Sequence, residues 1–285
     1  MSNSLVVGAT GIVGGYIVRK IVQSGGPCLA LSRSSQPDAP GVTWLKGDLA
    51  ALHLLQMPPI ATIYCTANIG PLPAVLRRLE TAPKRVVVFT STSILTKINS
   101  EIETERTMLR QLADAEQELI AACRELGIGW TILRPTLIYA EGRDANITRL
   151  ARFIEKCGFV PLAGKGKGLR QPVHAEDLAI GALAAAGSAH AIGMIYSLPG
   201  SEVISYREMV GRIFDGMARP RRMIALPQLL WKAAFAIASP LFPNANAAMG
   251  LRMDKDMVFD VRPATEDFGW KPRPFRPQFV TPLQR

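Results

Sequence analysis

Residues 5–14 read LVVGATGIVG, a short apolar strand that runs directly into a GxxGxxG pattern. The three glycines have separate roles: the first permits a tight turn, the second lets the backbone approach a phosphate, and the third lets the next helix pack close to the sheet. The helix N-terminus then meets the negative charge of a pyrophosphate. A glycine-rich turn without a ligand is the alternative. The pattern predicts a dinucleotide site that includes Gly8, Thr10, Gly11, Ile12, Val13 and Gly14.

The composition describes a globular protein with a basic surface. Of 285 residues, 48% are apolar, and 33 basic against 23 acidic residues give a formal net charge of +10. This length suits one large or two small domains. The charge suits an anionic ligand, an anionic membrane or simply a basic surface. Nucleic acid is not an expected partner, because no predicted helix or strand carries a continuous basic stripe.

The cysteines and the N-terminus indicate the compartment. Four cysteines lie in apolar surroundings with no CxxC pair, which predicts buried free thiols in a reducing compartment and no metal site. The N-terminus carries no basic-then-apolar signal, and no apolar run is long enough to span a bilayer. We therefore expect a cytoplasmic protein.

Apolar runs and helical segments alternate through the first half of the chain, which predicts parallel strands joined by helical crossovers. Strands are predicted at 5–7, 28–32, 42–45, 61–65, 85–90 and 129–133, and helices at 11–24, 49–56, 72–81 and 105–126. Later segments are mainly helical, at 146–157, 177–186, 206–217 and 227–238. The fold class is therefore α/β, a Rossmann-type doubly wound parallel sheet over residues 1–140 with strand contributions from later segments, followed by a smaller, mainly helical substrate lobe over 141–285.

The end of the second strand bears on the choice of nucleotide. An acidic residue there would suit the ribose 2′-hydroxyl of NAD, but the sequence offers Ser32, Arg33 and Ser34. Hydroxyls and a positive charge suit a 2′-phosphate, so we expect NADP rather than NAD. After the third strand, Asp48 next to Leu49 either reaches the adenine or caps the following helix.

A set of motifs in order resembles the extended short-chain dehydrogenase/reductase superfamily of the NAD-dependent epimerase/dehydratase type. Besides the glycine loop, the motifs are Gly47-Asp48-Leu49, Cys65-Thr66-Ala67, Phe89-Thr90-Ser91-Thr92-Ser93, Leu133-Arg134-Pro135-Thr136 and residues 170–179. The resemblance implies that Thr92 stands at the catalytic Ser/Thr position, that Arg170 faces an anionic group of a substrate, and that His174 and Asp177 brace a helix. It also implies dinucleotide contacts at Asp48, Leu49, Cys65, Thr66, Ala67, Thr90, Pro135 and Thr136.

The proton-transferring pair of that superfamily is missing. Its tyrosine and its lysine four residues later fall on Met108 and Leu112 when Ala115-Glu116 is used as the anchor. Neither side chain transfers a proton. Helical spacing joins both to one apolar stripe, so both are expected in the core. The chain therefore resembles the atypical branch, some members of which hold NADP structurally.

Few side chains could replace the tyrosine. Tyr139 is the first candidate, with simple packing as the alternative. The charged loop 92–106 could supply Lys97 or a carboxylate, or else be only solvated. A literal tyrosine–lysine spacing at Tyr16 and Lys20 lies on the phosphate-binding helix and is taken as accidental.

The apolar stretch that follows the arginines of 219–222 could lie on a membrane, line a pocket for a hydrophobic substrate, or pack in its own lobe. Residues 219–243 are thus a possible peripheral membrane contact, and helix 105–126 could form a homodimer. For function, the sequence favours an NADP-dependent oxidoreductase or epimerase acting on a hydrophobic or phosphorylated small molecule with a non-standard proton donor. The alternatives are a silent NADP-binding scaffold, sensor or assembly factor, and a redox-neutral isomerase or cyclase.

Overall fold

The computed structural model describes residues 3–227 and 253–280, and these form two compact units. The chain passes between the units several times. The first unit consists of Met1–Thr136, Ala175–Leu198 and Asp260–Lys271, and the second of Leu137–His174, Pro199–Phe259 and Pro272–Arg285. The division is therefore not a single point near residue 140, since two later segments complete the first unit.

Helices and strands follow the apolar patterns of the chain. The helices are α1 (Ile12–Gln23), α2 (Leu72–Leu76), α3 (Ser93–Lys97), α4 (Glu103–Glu125), α5 (Ile147–Cys157), α6 (Ala175–Gly187), α7 (Tyr206–Gly216) and α8 (Arg262–Phe268), with a 3-10 helix at Leu49–Leu54. The strands are β1 (Asn3–Val7), β2 (Cys28–Ser32), β3 (Val42–Lys46), β4 (Ile60–Cys65), β5 (Arg85–Phe89), β6 (Gly129–Pro135), β7 (Ile138–Tyr139), β8 (Val160–Ala163), β9 (Leu169–Arg170), β10 (Val173–His174), β11 (Met194–Leu198), β12 (Ile204–Ser205) and β13 (Met223–Leu226).

The first unit is built on a seven-stranded sheet in the order β11-β6-β5-β4-β1-β2-β3. Every neighbouring pair in this sheet is parallel. Its central strands are apolar on both faces because helices cover both, as the buried run Val86–Val88 shows. The predicted doubly wound parallel sheet is confirmed.

Later segments complete the first unit at the β11 edge. Helix α6 packs on α1, and α8 packs on α6 and β11. The Tyr196 hydroxyl of β11 donates a hydrogen bond to the Asp267 carboxylate of α8, and the Ser188 hydroxyl donates to the Asp267 carbonyl oxygen at 2.7 Å. In the middle of α6, a Cβ added to Gly181 would lie 2.5 Å from the Trp270 ring. The last of the three segments is therefore an integral part of this unit's packing.

Three local expectations differ from the structure. The helix predicted over 72–81 ends at Leu76, the segment at 49–54 is a 3-10 helix capped by Asp48, and the loop predicted from Thr92 contains α3. Cys157 is exposed, whereas the other three cysteines are buried as predicted. Burial raises the pKa of the Cys65 thiol to about 12, so this cysteine is inert as a nucleophile.

In its described residues, the second unit combines short strand pairs with the helices α5 and α7. Strands β7 and β10 pair in parallel, as do β8 and β13, whereas β9 and β12 are antiparallel. Its apolar core gathers side chains of α5, α7 and the strand pairs, with Phe214 and Phe275 fully buried. The predicted helix at 227–238 lies almost wholly outside the described residues. No helix in the described part of the chain is long and apolar enough to cross a membrane.

Candidate functional site

The glycine loop joins β1 to α1 in the first unit. Gly8 follows the strand with φ +81°, a left-handed conformation that strongly favours glycine. The Gly11 N–H donates to the Gly8 carbonyl oxygen at 2.9 Å and closes the turn. Helix α1 begins at Ile12, with Gly11 as an N-cap that offers no side-chain acceptor. The backbone of this turn therefore lies directly at the start of the helix.

Two of the three glycines are required by the protein's own packing. A Cβ on Gly14 would lie 2.1 Å from the Gly8 carbonyl oxygen, and one on Gly8 would lie 2.6 Å from Thr66 Oγ1. The Thr66 hydroxyl lies 3.2 Å from the carbonyl oxygens of both Val7 and Gly8, and so ties the loop to the end of β4. By contrast, a Cβ on Gly11 would have only the Gly8 carbonyl oxygen as a near neighbour, at 3.1 Å.

The start of α1 is electrostatically suited to an anion. Its first turn carries no acidic residue, and no side chain caps its N–H groups, which have no partner within the helix. At the far end of the helix, Lys20 forms a 2.8 Å ion pair with Glu176 of α6. Lys20 is thus part of helix packing, in agreement with the accidental nature of its spacing from Tyr16. The turn fits a pyrophosphate group.

The loop after β2 presents one unengaged cation. The buried Ser32 hydroxyl donates to the Ser34 carbonyl oxygen at 2.8 Å, and Gln36 Nε2 donates to Ser32 Oγ at 3.2 Å. The exposed Arg33 side chain has no hydrogen-bond or ion-pair partner within residues 3–227 and 253–280. After β3, one Asp48 oxygen accepts from the Ala50 N–H at 2.9 Å, which is the helix-capping alternative.

Thr92 lies where the carboxyl ends of β5 and β6 adjoin. The residue is only 6% exposed, and its hydroxyl donates to the Pro135 carbonyl oxygen at 3.0 Å, while its N–H donates to the same oxygen at 3.2 Å. Because a hydroxyl has one proton, Thr92 in this arrangement can only accept a further hydrogen bond. Its proposed role as donor to a reacting oxygen stays a prediction that needs this bond to break. The neighbouring Thr136 donates its N–H to the Leu198 carbonyl oxygen.

A buried carboxylate fixes α4 to the strand ends, and sequence reasoning used it only as a motif anchor. Glu116 is 1% exposed and accepts from the Thr90 hydroxyl at 2.6 Å and from Arg134 Nε at 3.0 Å, with a second contact to the Arg134 guanidinium. A charged residue within the apolar stripe of α4 was the available signal. Thr90 is therefore engaged within the protein.

Met108 is not a core residue, so the expectation for this position is wrong. Its side chain is 60% exposed, and the neighbouring Leu109 is buried instead. Helix α4 packs on α3, a segment that the sequence had presented as a loop. Leu112 is partly buried against the main core. The position that the motif alignment gives to the superfamily's tyrosine therefore carries an exposed methionine, whose thioether has no proton to transfer.

Tyr139 belongs to the core of the second unit. It is 1% exposed, and its ring makes edge contacts with His174 and Phe275 at centroid distances of 5.0 and 4.9 Å. This environment favours the packing alternative. His174 Nε2 lies 3.3 Å from Glu141. Burial acts to raise the pKa of Glu141, but hydrogen bonds, first that to His174, outweigh it and hold the pKa below its usual range.

Arg170 is buried in the second unit and already engaged. Its guanidinium donates to the carbonyl oxygens of Leu169 and Lys255 at 2.7 and 2.6 Å and lies over the Tyr206 ring. Burial lowers the pKa of Arg170, partly opposed by the nearby Tyr206 and Asp256. The predicted role of Arg170 towards an anionic substrate group stays a prediction.

The arginines upstream of the apolar stretch are mostly used within the second unit. Arg219 donates to carbonyl oxygens at the end of α5, and Arg221 forms ion pairs with Glu208 and Asp215. Residues 228–243 of the stretch lie outside the described residues. Among those described, no cluster of three or more His, Cys, Asp or Glu side chains could hold a metal ion.

The comparison of folds decides the class. The structure matches that of UDP-glucuronic acid 4-epimerase from Bacillus cereus, solved with UDP-glucuronic acid and NAD, with a TM-score of 0.70, 14% sequence identity and coverage of 95% of this chain and 94% of that one. The match extends over both the seven-stranded parallel sheet and the later segments of this chain. The chain has the fold of the extended short-chain dehydrogenase/reductases.

The sequence of the chain is similar to those of two curated proteins. A mitochondrial NADH dehydrogenase [ubiquinone] 1 alpha subcomplex subunit 9 of Arabidopsis thaliana is 28% identical, covering 81% of this chain and 62% of that protein. The chain therefore spans less than two thirds of that relative. A 2-alkyl-3-oxoalkanoate reductase of Stenotrophomonas maltophilia is 24% identical over 94% of both chains. The chain matches no protein-family profile.

Proposed function

We propose that the protein binds NADP in the glycine loop of its first unit and holds it as a structural nucleotide, without a tyrosine-based proton transfer. One observation carries the proposal. An intact phosphate-binding turn stands in the same unit as an exposed Met108 at the position of the tyrosine. The proposed nucleotide-binding turn is thus retained, whereas the tyrosine that would transfer a proton is absent.

The binding half of the proposal rests on the turn between β1 and α1. Its first-turn N–H groups are uncapped, its helix start lacks acidic side chains, and Gly11 has no side chain to obstruct an approaching phosphate. Asp48, Leu49 and the segment Cys65–Ala67 follow the neighbouring strands and would border the adenosine, and Pro135 with Thr136 the nicotinamide end. The Bacillus cereus epimerase was solved with NAD, which supports a nicotinamide dinucleotide.

The preference for NADP rests on Arg33. Its exposed guanidinium is unengaged within the described residues, directly after the strand whose end meets the adenosine ribose. A guanidinium binds a phosphate in a forked, charge-assisted manner, whereas a 2′-hydroxyl gains little from it. No carboxylate occupies residues 32–34 to select NAD.

The structural role rests on what the candidate catalytic groups do in the fold. The Thr92 proton is used on a carbonyl oxygen, Tyr139 is buried among aromatic rings, and Lys97 is paired with Glu105 at 3.5 Å. Bound NADPH would supply a hydride, but these residues supply no accessible proton donor for the step. Similarity to a subunit of NADH dehydrogenase supports a role within an assembly.

Nucleotide titration tests the binding half. Protein fluorescence or calorimetry would be followed with NADP and with NAD for the native chain, Arg33→Gln and the control Arg78→Gln, another exposed arginine of the first unit. We expect Arg33→Gln to weaken NADP on the order of tenfold and to leave NAD and the control unchanged. Equal affinities for both nucleotides in all three proteins would refute the preference, and no affinity for either would refute the site.

Specific observations also favour a second function, that of an atypical NADP-dependent oxidoreductase. Met108 does not fill the core, and the reductase of Stenotrophomonas maltophilia is similar over nearly the whole chain. Incubation with NADPH and a panel of hydrophobic ketones and oxo acids separates the two functions. Nucleotide binding without loss of reduced nicotinamide absorbance supports the structural role, whereas turnover that is lost in Thr92→Val supports the enzyme.

A further inference from the structure

A cluster of cationic side chains lies within the second unit, far along the chain from the glycine loop. A surface pocket of about 540 Å³ is lined by Lys165, Gly166, Lys167, Ser205 and Arg207. Three of these five residues are cationic, and none is acidic. They come from two elements, the loop between β8 and β9 and the start of α7.

Within the described part of the chain, the three cations have no partner of opposite charge. The side chains of Lys165, Lys167 and Arg207 are exposed and make no ion pair or hydrogen bond with the described residues. The acidic side chains that contact this loop, Asp254 and Asp256, accept from the backbone N–H groups of Lys167 and Leu169 at 3.1 and 2.9 Å. They are not among the residues that line the pocket. Three positive charges thus line one pocket without an ion pair among the described residues. An anionic ligand would reduce their mutual repulsion.

Backbone contacts hold the loop and the helix start together. The Arg207 N–H donates to the Gly166 carbonyl oxygen at 3.0 Å, and the Tyr206 N–H donates to that of Gly168 at 2.8 Å. Gly166 adopts φ +62°, and a Cβ on Gly168 would lie 2.5 Å from the Lys255 carbonyl oxygen. The backbone positions of the three cationic residues are therefore fixed before any ligand arrives, so that only their side chains need to be ordered on binding.

We propose that this pocket, defined by Lys165, Lys167 and Arg207, binds the phosphate or pyrophosphate group of a ligand separate from the nucleotide of the first unit. The two lysines supply point charges and the arginine a forked donor, a combination suited to a dianion. Arg170 takes no part, because its guanidinium is turned to backbone carbonyl oxygens. A phosphorylated small molecule and a lipid phosphate headgroup share this chemistry.

The test is a calorimetric titration of the full chain with inorganic pyrophosphate. The first unit also binds this probe if the proposed nucleotide site is correct, so the measured quantity is the difference between variants of the second unit. Lys165→Gln/Lys167→Gln is compared with Lys156→Gln/Arg222→Gln, which removes the same charge from exposed positions outside the pocket. We expect the pocket variant to lose one binding event or weaken it at least about tenfold, and the control to behave as the native chain.

Three further measurements sharpen the result. Lys165→Arg/Lys167→Arg should restore binding, and thermal unfolding should show the same midpoint for all variants. Equal titrations of native and pocket variants, or an equal loss in the control, would overturn the proposal. Vesicles of phosphatidylcholine with and without phosphatidic acid then identify the source: pocket-dependent flotation with phosphatidic acid indicates a lipid headgroup, and its absence beside intact pyrophosphate binding indicates a soluble ligand.

Discussion

Two regions of the first unit, the glycine loop and the start of α4, differ in how strongly the fold constrains their sequence. At the glycine loop, Gly8 and Gly14 face neighbouring atoms at distances that admit no side chain, so packing alone requires both glycines. At the start of α4, Met108 is exposed and contributes nothing to the core. An intact loop is therefore weaker support for a ligand than its pattern suggests. Packing does not require Gly11 or Arg33, so substitutions at these two residues test the proposed nucleotide binding directly.

The largest effect is expected at Glu116, which ties α4 to the strand ends. Replacing it by alanine leaves Arg134 without its carboxylate partner in a site that is largely buried, and should lower the free energy of unfolding by about 3–5 kcal/mol. Urea unfolding of Glu116→Ala measures this. The control Glu118→Ala changes an exposed glutamate of the same helix. Equal stabilities of the two variants would show that α4 does not depend on this contact.

A smaller loss is expected at Gly14. The added Cβ of Gly14→Ala must displace the Gly8 carbonyl oxygen, which should cost about 1–3 kcal/mol of folding free energy. Gly187→Ala, where a Cβ meets no atom within 4 Å, is the matched control. If Gly14→Ala weakened NADP binding but left the urea midpoint unchanged, packing would not be the reason for that glycine.

Gly11→Ala should reduce NADP affinity more than it reduces folding stability. Its Cβ has a single near neighbour and stands at an N-cap where alanine is less favourable than glycine, so the loss of stability should be about 1 kcal/mol or less. Its effect on NADP affinity should exceed its effect on stability, because the methyl group projects where the phosphates approach. Parallel urea and nucleotide titrations measure both. A loss of stability without a loss of affinity would contradict the assignment of the site.

The smallest effect is expected at Met108. Because its side chain is exposed, Met108→Tyr should change the free energy of unfolding by no more than about 0.5 kcal/mol. Differential scanning calorimetry against the native chain measures this. A large destabilisation would mean that this surface is constrained by packing after all, and would remove the contrast between the two regions.

Much of this fold could be predicted because its strands are continuous apolar runs. The first six strands of the sheet lie within two residues of their predicted limits, and the glycine pattern marked the turn. Short helices escaped prediction, since α3 has only five residues in a segment interpreted as a charged loop. The buried face of α4 was also displaced by one residue, because Leu109 is buried and Met108 is exposed. The partners of Thr92 and Glu116 lie 43 and 18 residues away in the chain, so their engagement could not be read from local spacing.

The placement of α8 has a consequence for biosynthesis and for protein engineering. Asp267, which binds Tyr196 and Ser188 within the first unit, is translated 71 and 79 residues after them, respectively. A truncation near residue 140 would discard β11, α6 and α8 and expose an unpaired sheet edge beside β6. The first unit is therefore completed only after Asp260–Lys271 has been synthesised, and it should not be produced alone from a simple N-terminal fragment.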